Sequence, residues 1–345
     1  MIPIFVKEII MKITKIETFK VAVPYIPAIR KYRPTEHTDR PILLIKVYTD
    51  EGIVGIGEGG RGDDVDHLIA NWIGKDPMEM NLQTTGAPFQ HALYDIVGKA
   101  RNLPAYKLMG DCYWDEVPVG YWSCYMDPKD TGKEAEVAVK MGFTNHKLKA
   151  RPWDIVQQAE EITKAAGPNY SITVDPNDTF ETVEQSVKLA KELEPYNILC
   201  FEDPIAKKDF AGFRAIRSQV NIPIAPHLGS PDSVLAAIRA DAADMFNIGG
   251  NLDSVIRCTA VADAAGMPVW LQVAGLSLGI AAAFATHVGA VVKNATLPAD
   301  TLHFLKENDL IGGALPPKNG RIKVPQTPGL GVELDEDALA KYRVG

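Results

Sequence analysis

Apolar and polar residues alternate along the first part of the chain in the manner of β-strands. The segments ITKIETFKVAV (13–23) and PILLIKVYTDEGIVGIGEG (41–59) follow this pattern, with DEG as a hairpin turn inside the second. Within residues 87–109 the apolar positions change to helical spacing. We therefore predict an α+β unit over residues 11–116 that begins with an antiparallel meander.

From residue 117 onward, β-type runs alternate with amphipathic or apolar helical stretches. The later runs are SITVD, ILCFE, PIAPH, DMFNI and PVWLQ. Strands that alternate with helices of about 10–15 residues indicate a parallel sheet, and seven or eight such repeats favour a closed barrel, here over residues 117–312. A doubly wound open sheet is the competing architecture. It would need a Gly-rich phosphate turn after its first strand, and YWSCYMDPKD is not such a turn.

The two ends of the chain differ from these units. Residues 1–10 precede a second methionine, Met11, and we expect them to be an N-terminal extension that contributes little to the fold. Residues 313–345 are rich in Pro and Gly and finish in a short polar helix, so we expect them to pack back on the first unit. The total of 345 residues suits a barrel of about 250 residues plus a smaller domain.

Four polar residues close successive β-type runs: Lys149, Asp175, Glu202 and His227. They recur about every 26 residues, close to the length of one strand, one helix and two loops in a βαβ unit. A polar residue with this period marks the same end of successive parallel strands, and in a barrel those ends face one pocket. The spacing therefore predicts a catalytic arrangement.

Lys147 and Lys149 lie two residues apart on one predicted strand, so both ammonium groups face the barrel mouth while Leu148 faces the helices. Two like charges side by side lower one another's pKa, which favours a neutral amine that accepts a proton near pH 7. We therefore expect a lysine base here; the alternative is a solvated basic edge.

Asp175 and Glu202 each end an apolar strand where a proline-containing turn begins, and Asn177 follows the first of them. Two carboxylates with nearby oxygen donors suit a hard divalent ion such as Mg²⁺, although one of them could instead cap a helix or pair with a cation. A carbon acid α to a carboxylate loses its proton to give a dianionic enolate, which a metal ion and a lysine would stabilise.

The order KxK, then Asp in DPN, then Glu in FEDP resembles the enolase superfamily, in its mandelate racemase and muconate lactonizing branches. EGIVGIGEGG, ALYDIVGKARNLPAYKLMG and PGLGVELDEDALAKYRV resemble its capping-domain strand, capping helices and C-terminal tail, so the similarity covers nearly the whole chain from Met11. The resemblance implies an α/β fold, a modified TIM barrel of the (β/α)₇β type with an α+β N-terminal capping domain. It also implies a Mg²⁺ ion that binds the substrate carboxylate, and abstraction of the proton α to it.

Residue by residue, the resemblance makes Lys149 the base and Lys147 its pKa-lowering neighbour. Asp175 and Glu202 become metal ligands. The third ligand position departs from the family, because His227 stands where relatives have Asp or Glu. A histidine ligand would shift the preference from Mg²⁺ toward Mn²⁺, Zn²⁺ or Fe²⁺. His227 could also be a substrate-facing acid or base, or a structural residue, and the sequence leaves these three interpretations open.

The next two strands also depart from the family. Gly249 stands where the muconate-lactonizing branch has a second lysine, and Gln272 where the racemase branch has a histidine. Asp244 is predicted at the start of its strand, away from the pocket. Because racemisation needs a proton donor on each face, a one-base reaction is favoured, above all dehydration of a sugar acid or related hydroxy acid. A racemase, epimerase or cycloisomerase is the alternative, and a non-catalytic protein without a full metal site is a third.

The polar loop after the first strand, YIPAIRKYRPTEHTD, is longer than most structural connections. Arg30, Tyr32 and Arg33, together with Lys31 and His37, could close over an anionic or hydroxylated substrate group. We predict Arg30, Tyr32, Arg33, Asn177 and Gln272 as substrate-binding residues. A solvated turn is the other interpretation of the loop.

A formal net charge of −8 argues against a nucleic-acid partner, since no basic excess neutralises phosphates. No apolar run approaches the roughly 18–20 residues that cross a bilayer, and MIPIFVKEII lacks the features of a signal peptide. We expect a cytoplasmic enzyme that binds a small carboxylate, contacts no membrane, and forms a homo-oligomer, as many enzymes do.

Overall fold

The computed structural model describes residues 11–33, 41–59, 65–272 and 277–345. The predicted N-terminal extension, residues 1–10, and His37 lie outside these ranges. The strands of the described residues are, in chain order, β1 (Ile13–Val21), β2 (Ile42–Thr49), β3 (Val54–Gly59), β4 (Glu116–Ser123), β5 (Asn145–Lys149), β6 (Ser171–Asp175), β7 (Ile198–Glu202), β8 (Ile224–Ala225), β9 (His227–Leu228), β10 (Phe246–Ile248), β11 (Val269–Leu271), β12 (Ala299–Thr301) and β13 (Arg321–Lys323).

The α-helices run between and after these strands. They are α1 (Pro27–Arg30), α2 (Asp66–Ile69), α3 (Phe89–Arg101), α4 (Pro128–Met141), α5 (Ile155–Ala166), α6 (Val183–Leu193), α7 (Phe210–Arg217), α8 (Pro231–Arg239), α9 (Leu252–Ala264), α10 (Gly279–Val291) and α11 (Glu336–Tyr342). No helix of the described residues is both long and apolar enough to cross a bilayer.

The N-terminal strands form an antiparallel sheet in the order β1-β2-β3, and α3 packs against β3. The turn between β2 and β3 contains Gly52 at φ +76°, a backbone conformation that glycine adopts without a steric penalty. The predicted meander and its hairpin are confirmed by this pairing.

Strands β4 to β12 alternate with helices α4 to α10 and make the barrel wall. Parallel pairing runs from β4 through β5, β6 and β7 to β8, then from β9 through β10 to β11, and β12 pairs with β4. Pro226 separates β8 from β9, so these two short strands occupy one position in the wall. Eight wall positions and seven helices correspond to the predicted (β/α)₇β barrel, and the fold prediction is confirmed.

The alternation of each wall strand separates the hydrophobic core from the site. On β6, Ile172 and Val174 are fully buried in the main core, while Thr173 and Asp175 face the opposite side. On β5, Leu148 belongs to the same core. The polar ends of these strands are therefore directed into the barrel by the apolar residues between them.

Several contacts dock the capping domain on the rest of the chain, and two of them lie at its two ends. Glu58 on β3 accepts hydrogen bonds from the backbone N–H groups of Leu278 and Ala281 at the start of α10. At the other end, Ala22 donates to the carbonyl of Tyr342 at 2.9 Å, so the C-terminal segment contacts the first unit. The domain boundaries themselves stay a prediction.

Candidate active site

The predicted row of strand-end residues lies at one end of the barrel. Lys149 and Asp175 are opposite one another in the β5–β6 pairing, Glu202 ends β7, and His227 begins β9. Their side chains meet through Lys147, whose ammonium group contacts both Asp175 and Glu202. The spacing in the sequence thus located residues that the fold brings together.

Lys147 is enclosed by three carboxylates. Its Nζ lies 2.6 Å from Oε2 of Glu202, 2.7 Å from Oδ2 of Asp300 and 3.4 Å from Oδ2 of Asp175, and its side chain is 3% exposed. Burial acts to lower the pKa of Lys147, but the three carboxylates outweigh it and raise the pKa well above its ordinary value. The expectation of a lowered pKa was wrong for Lys147, because Asp175, Glu202 and the unpredicted Asp300 together balance its charge.

Asp300 on β12 was missed by the sequence analysis. It is 1% exposed, and burial raises its pKa although Lys147 opposes this. Strand β12 is only three residues long, too short for a periodic signal. The available clue was a charge argument, because a lysine predicted inside a barrel requires nearby carboxylates.

Lys149 sits further out than Lys147 on the same strand face. Its side chain is 24% exposed, and its ammonium group makes a short ion pair with Oδ2 of Asp175, which is fully buried. Burial acts to raise the pKa of Asp175, but Lys147 and Lys149 outweigh it and lower the pKa. The amine of Lys149 therefore contacts the buried carboxylate of Asp175 and is otherwise open to the barrel mouth.

A second cluster joins Glu202 and His227 to Asp203. One ligand atom from each of these three residues lies within 4.8 Å of the other two, and Nδ1 of His227 is 4.0 Å from Oε1 of Glu202. Burial and the charge of Asp175 raise the pKa of Glu202 to about 8 despite Lys147, and burial also raises the pKa of Asp203. These buried carboxylates would be stabilised by an additional cation.

The donor set therefore fits a divalent metal ion. Two carboxylates and an imidazole form a mixed oxygen and nitrogen set. Asp203 was missed as a possible ligand because it follows Glu202 directly, where an alternating strand would turn it away. Asp175, the predicted ligand, lies outside this three-residue cluster and contacts the two lysines.

Left-handed backbone positions shape both carboxylate strand ends. Asn177 and Asp178 follow β6 at φ 48° and 69°, and Asp203 follows β7 at φ 46°. The N–H of Asp178 donates to the carbonyl of Asp203 at 2.9 Å, and the N–H of Asn177 donates to Oδ1 of Asp175 at 3.1 Å. Such costly conformations cluster at functional sites. Asn177 is an exposed residue two positions after Asp175.

The imidazole of His227 fills the space beside Gly249. A Cβ atom on Gly249 would lie 2.7 Å from Nε2 of His227 and 3.5 Å from Cβ of Gln272. Burial, then the charges of Lys207 and Lys147, lower the pKa of His227 to about 4, so the ring is neutral at physiological pH. A lysine at position 249 would collide with this ring.

Neutral amides line the next part of the wall. Nδ2 of Asn247, a buried residue that the sequence analysis missed, donates to Oε1 of Glu202 at 2.8 Å and to Oε1 of Gln272 at 2.7 Å. Gln272 therefore lies at the site as predicted. Asp244 precedes β10 and binds Arg217, at the opposite end from the cluster, which is also as predicted.

The predicted loop residues hold the capping segment on the barrel. Arg30 pairs with Glu307 through a short contact, and the hydroxyl of Tyr32 donates to the carboxylates of Asp127 and Asp130. Neither contact is with the lysine and carboxylate clusters, so a role of Arg30 and Tyr32 in substrate binding stays a prediction.

Arg33 differs from its two neighbours. Among the described residues, its guanidinium is held by two aromatic rings rather than by a carboxylate, at 5.3 Å from the ring centroid of Tyr25 and 5.6 Å from that of Trp122. Trp122 lies on β4, near its end at the barrel mouth.

The chain is similar to known proteins over nearly its whole length. A family model described as "Enolase C-terminal domain-like" matches residues 130–338. N-succinyl-L-Arg/Lys racemase of Bacillus cereus is 27% identical, over 97% of this chain and 98% of the relative. The crystal structure of N-succinyl Arg/Lys racemase from that organism aligns with a TM-score of 0.79 at 26% identity, over 97% of this chain and 98% of that one.

Other relatives at the same level of identity catalyse different reactions. L-Ala-D/L-Glu epimerase of Bacillus subtilis is 26% identical over 93% of this chain and 97% of the relative. D-xylonate dehydratase of Haloferax volcanii is also 26% identical, over 88% of this chain and 86% of the relative. The reaction class is thus not separated by sequence identity.

Proposed function

The chain belongs to the enolase superfamily, in its mandelate racemase and muconate lactonizing branch, and from this premise we propose that it is a dehydratase of a sugar acid or related hydroxy acid. Its relatives are racemases, epimerases and dehydratases, and abstraction of a proton α to a carboxylate is the chemistry they support. The choice between dehydration and racemisation depends on which groups can transfer protons at the barrel mouth.

Lys149 would be the base. It is the lysine of the pair that reaches the open mouth, and its short contact with buried Asp175 fixes the direction of the amine. In its neutral form it would take the proton from the α-carbon. The electron pair left on that carbon would form the C=C bond as the β-carbon–oxygen bond breaks, and Lys149 would return the proton to the departing hydroxide as water.

The imidazole of His227 beside Gly249 is the observation that favours elimination over racemisation. The position of a second lysine is a glycine, and its space is filled by the neutral ring of His227. Gln272 beside it can only donate and accept hydrogen bonds. These residues therefore provide no proton donor on the face opposite Lys149. Elimination with a single base does not need such a donor.

A divalent metal ion, when bound, would neutralise the substrate carboxylate and the enolate charge. We propose Mg²⁺, with Glu202 and His227 as ligands and a further carboxylate from Asp175 or Asp203. The nitrogen donor of His227 makes Mn²⁺ the alternative ion. The raised pKa values of Glu202 and Asp203 support a cation at this place.

Substrate binding would involve the outer polar residues. Asn177 and Gln272 lie beside the two clusters and would hydrogen-bond substrate hydroxyl groups. Arg33 would supply a cation from the capping domain, whereas Arg30 and Tyr32 would act by holding that domain in place. We further propose a homo-oligomer, which size-exclusion chromatography with light scattering would test.

Racemisation or epimerisation is the second candidate, because the relatives include a racemase at 27% and an epimerase at 26% identity. The two reactions leave different products. In D₂O a dehydratase converts its acid to an enol, which loses its hydroxyl proton and takes up deuterium at the β-carbon to give the 2-keto acid. A racemase returns both configurations of the acid with deuterium at the α-carbon.

The test follows the α-proton by NMR in D₂O with Mg²⁺ or Mn²⁺ and two substrate sets, aldonic acids and N-succinyl amino acids. General-base catalysis contributes about 10²–10⁴-fold, so Lys149→Ala should lower the rate by that factor. Lys133→Ala, an exposed lysine on α4, is the matched control and should retain the wild-type rate.

Two results would contradict the proposal. An α-proton rate that Lys149→Ala leaves unchanged would remove the base assignment. A protein that neither exchanges the proton nor binds Mg²⁺ or Mn²⁺ by calorimetry would instead support a non-catalytic binding protein.

A further inference from the structure

Lys207 lies on the loop between β7 and α7, five residues after Glu202. Its Nζ is 3.0 Å from Oδ2 of Asp203, and its side chain is 42% exposed. Among the described residues, Asp203 is its ion-pair partner. Because an ammonium group has three N–H donors, one contact of this kind leaves donors that point toward solvent.

Asp203 connects this lysine to the active site. It is fully buried, its Oδ1 accepts the backbone N–H of His227 at 2.9 Å, and a carboxylate oxygen lies within 4.8 Å of ligand atoms of Glu202 and His227. The ammonium group is thus fixed one ion-pair length from the cluster, not free on a flexible stem. Of the charges that act on His227, that of Lys207 has the largest effect on its pKa.

Lys207 can bind an additional anion, whereas Lys147 cannot. Three carboxylates surround Lys147, whose side chain is 3% exposed. Its charge is therefore neutralised within the protein and is not accessible to a ligand. One carboxylate faces Lys207, and that carboxylate also interacts with the backbone of His227. Burial acts to lower the pKa of Lys207, but Asp203, with the charges of Asp175 and Glu202, outweighs it and raises the pKa, so Lys207 stays cationic.

We propose that Lys207 is a specificity residue that binds a second anionic group of the substrate, so that the substrate class is a hydroxy acid with two carboxylates. This inference rests on the proposed function for the reacting end of the substrate, where Lys149 acts. Lys207 touches the non-reacting carboxylate and selects dianionic over monoanionic acids. A charge-assisted hydrogen bond of this kind changes affinity by about tenfold or more.

The experiment compares galactarate with galactonate, two six-carbon acids that differ by a terminal carboxylate in place of a hydroxymethyl group. Calorimetry with Mg²⁺-loaded protein measures both dissociation constants. The wild type should bind galactarate about tenfold or more tightly than galactonate. Lys207→Gln, which keeps a donor for Asp203 but no charge, should abolish this preference and leave galactonate binding within about twofold.

Two further variants control the result. Lys207→Arg restores the charge and should restore the preference. Lys208→Gln removes the neighbouring exposed lysine of the same loop and should leave both constants unchanged. Thermal unfolding of each variant shows that the fold is retained.

Three outcomes overturn the proposal: a wild type that binds neither acid or shows no preference, an equal loss for both acids in Lys207→Gln, or an unchanged preference in that variant. The equal loss would place Lys207 at the reacting carboxylate. The α-proton exchange of Lys149→Ala is measured separately, so failure of the base assignment and failure of the second-anion site remain distinguishable.

Discussion

The wall strands β5, β6, β7 and β12 carry charged side chains at the barrel mouth, whereas β9, β10 and β11 present an imidazole, a glycine and amides. On the charged side, Lys147 and Lys149 alternate with the carboxylates of Asp175, Glu202 and Asp300. Each of these ions has an oppositely charged neighbour at short distance. In the proposed mechanism, this side would take up and release the proton and would share the metal ion with His227.

The other side is neutral. Asn247 and Gln272 donate and accept hydrogen bonds, Gly249 has no side chain, and the pKa of His227 is lowered to about 4. Both sides are built from short apolar strands that end in the same place, so the backbone does not distinguish them. The difference lies in the side chains near the mouth end of each strand, which are charged on one side and neutral on the other.

The largest expected effect comes from removing the central cation. Lys147→Met leaves Asp175, Glu202 and Asp300 facing one another without it, and breaking a buried ion pair costs about 3–5 kcal/mol. Urea unfolding of the metal-free protein measures this loss. Lys133→Met, on the surface of α4, should change the free energy of unfolding little. A loss below about 1 kcal/mol for Lys147→Met would mean that the charged side is not held together by this lysine.

The second effect concerns Glu58, which fixes the start of α10 behind the neutral side. Burial raises the pKa of Glu58 from 4.5 to about 7, although the hydrogen bonds that its carboxylate accepts act to lower it. A raised carboxyl pKa means stability that is present below pH 4.5 and lost as the pH rises through 7, on the order of 3 kcal/mol.

Glu58→Gln should remove this part of the pH dependence, because the amide does not ionise. Unfolding free energies of wild type and variant, compared at pH 5 and pH 8, measure the difference. Glu136→Gln, an exposed residue on α4, should retain the wild-type profile. Identical profiles for wild type and Glu58→Gln would contradict the assignment.

A third change makes the neutral side acidic. His227→Asp places a carboxylate near Oε1 of Glu202, where the two would repel without a metal and bind Mg²⁺ together. Calorimetry should show Mg²⁺ affinity raised about tenfold and the preference for Mn²⁺ reduced. An unchanged Mg²⁺ affinity would show that residue 227 does not contact the ion.

The smallest effect comes from a single methyl group. Gly249→Ala puts Cβ 2.7 Å from Nε2 of His227, so the ring must shift. Because an imidazole can rotate, we expect metal affinity to fall only about threefold, and the fall should be visible by calorimetry. Gly86→Ala is the matched control, since its Cβ would meet nothing within 4 Å. An equal effect at both positions would mean that Gly249 is not what makes room for His227.

The sequence predicted the barrel and the charged side for one reason: strand and helix lengths are local, and they repeat. Lys149, Asp175 and Glu202 were located because each ends a run whose pattern is visible within five residues. Asp300 was missed because β12 is three residues long and carries no periodic signal. Asn247 was missed because it lies inside the predicted run DMFNI and does not end it. Which carboxylate joins His227 was also not visible, since Asp203 is 24 positions away in the chain and meets His227 only in the fold.

By itself, the sequence determined a parallel β/α barrel and the end of it at which the polar strand-end residues lie, because hydrophobic periodicity sets the elements and their polar ends. Only the tertiary structure decided the charge state of Lys147, whose pKa is raised by carboxylates from three other strands. It also decided that the ring of His227 fills the place of a side chain at Gly249. Both depend on distances between residues far apart in the chain, and electrostatic and steric energies follow distance in space and not separation in sequence.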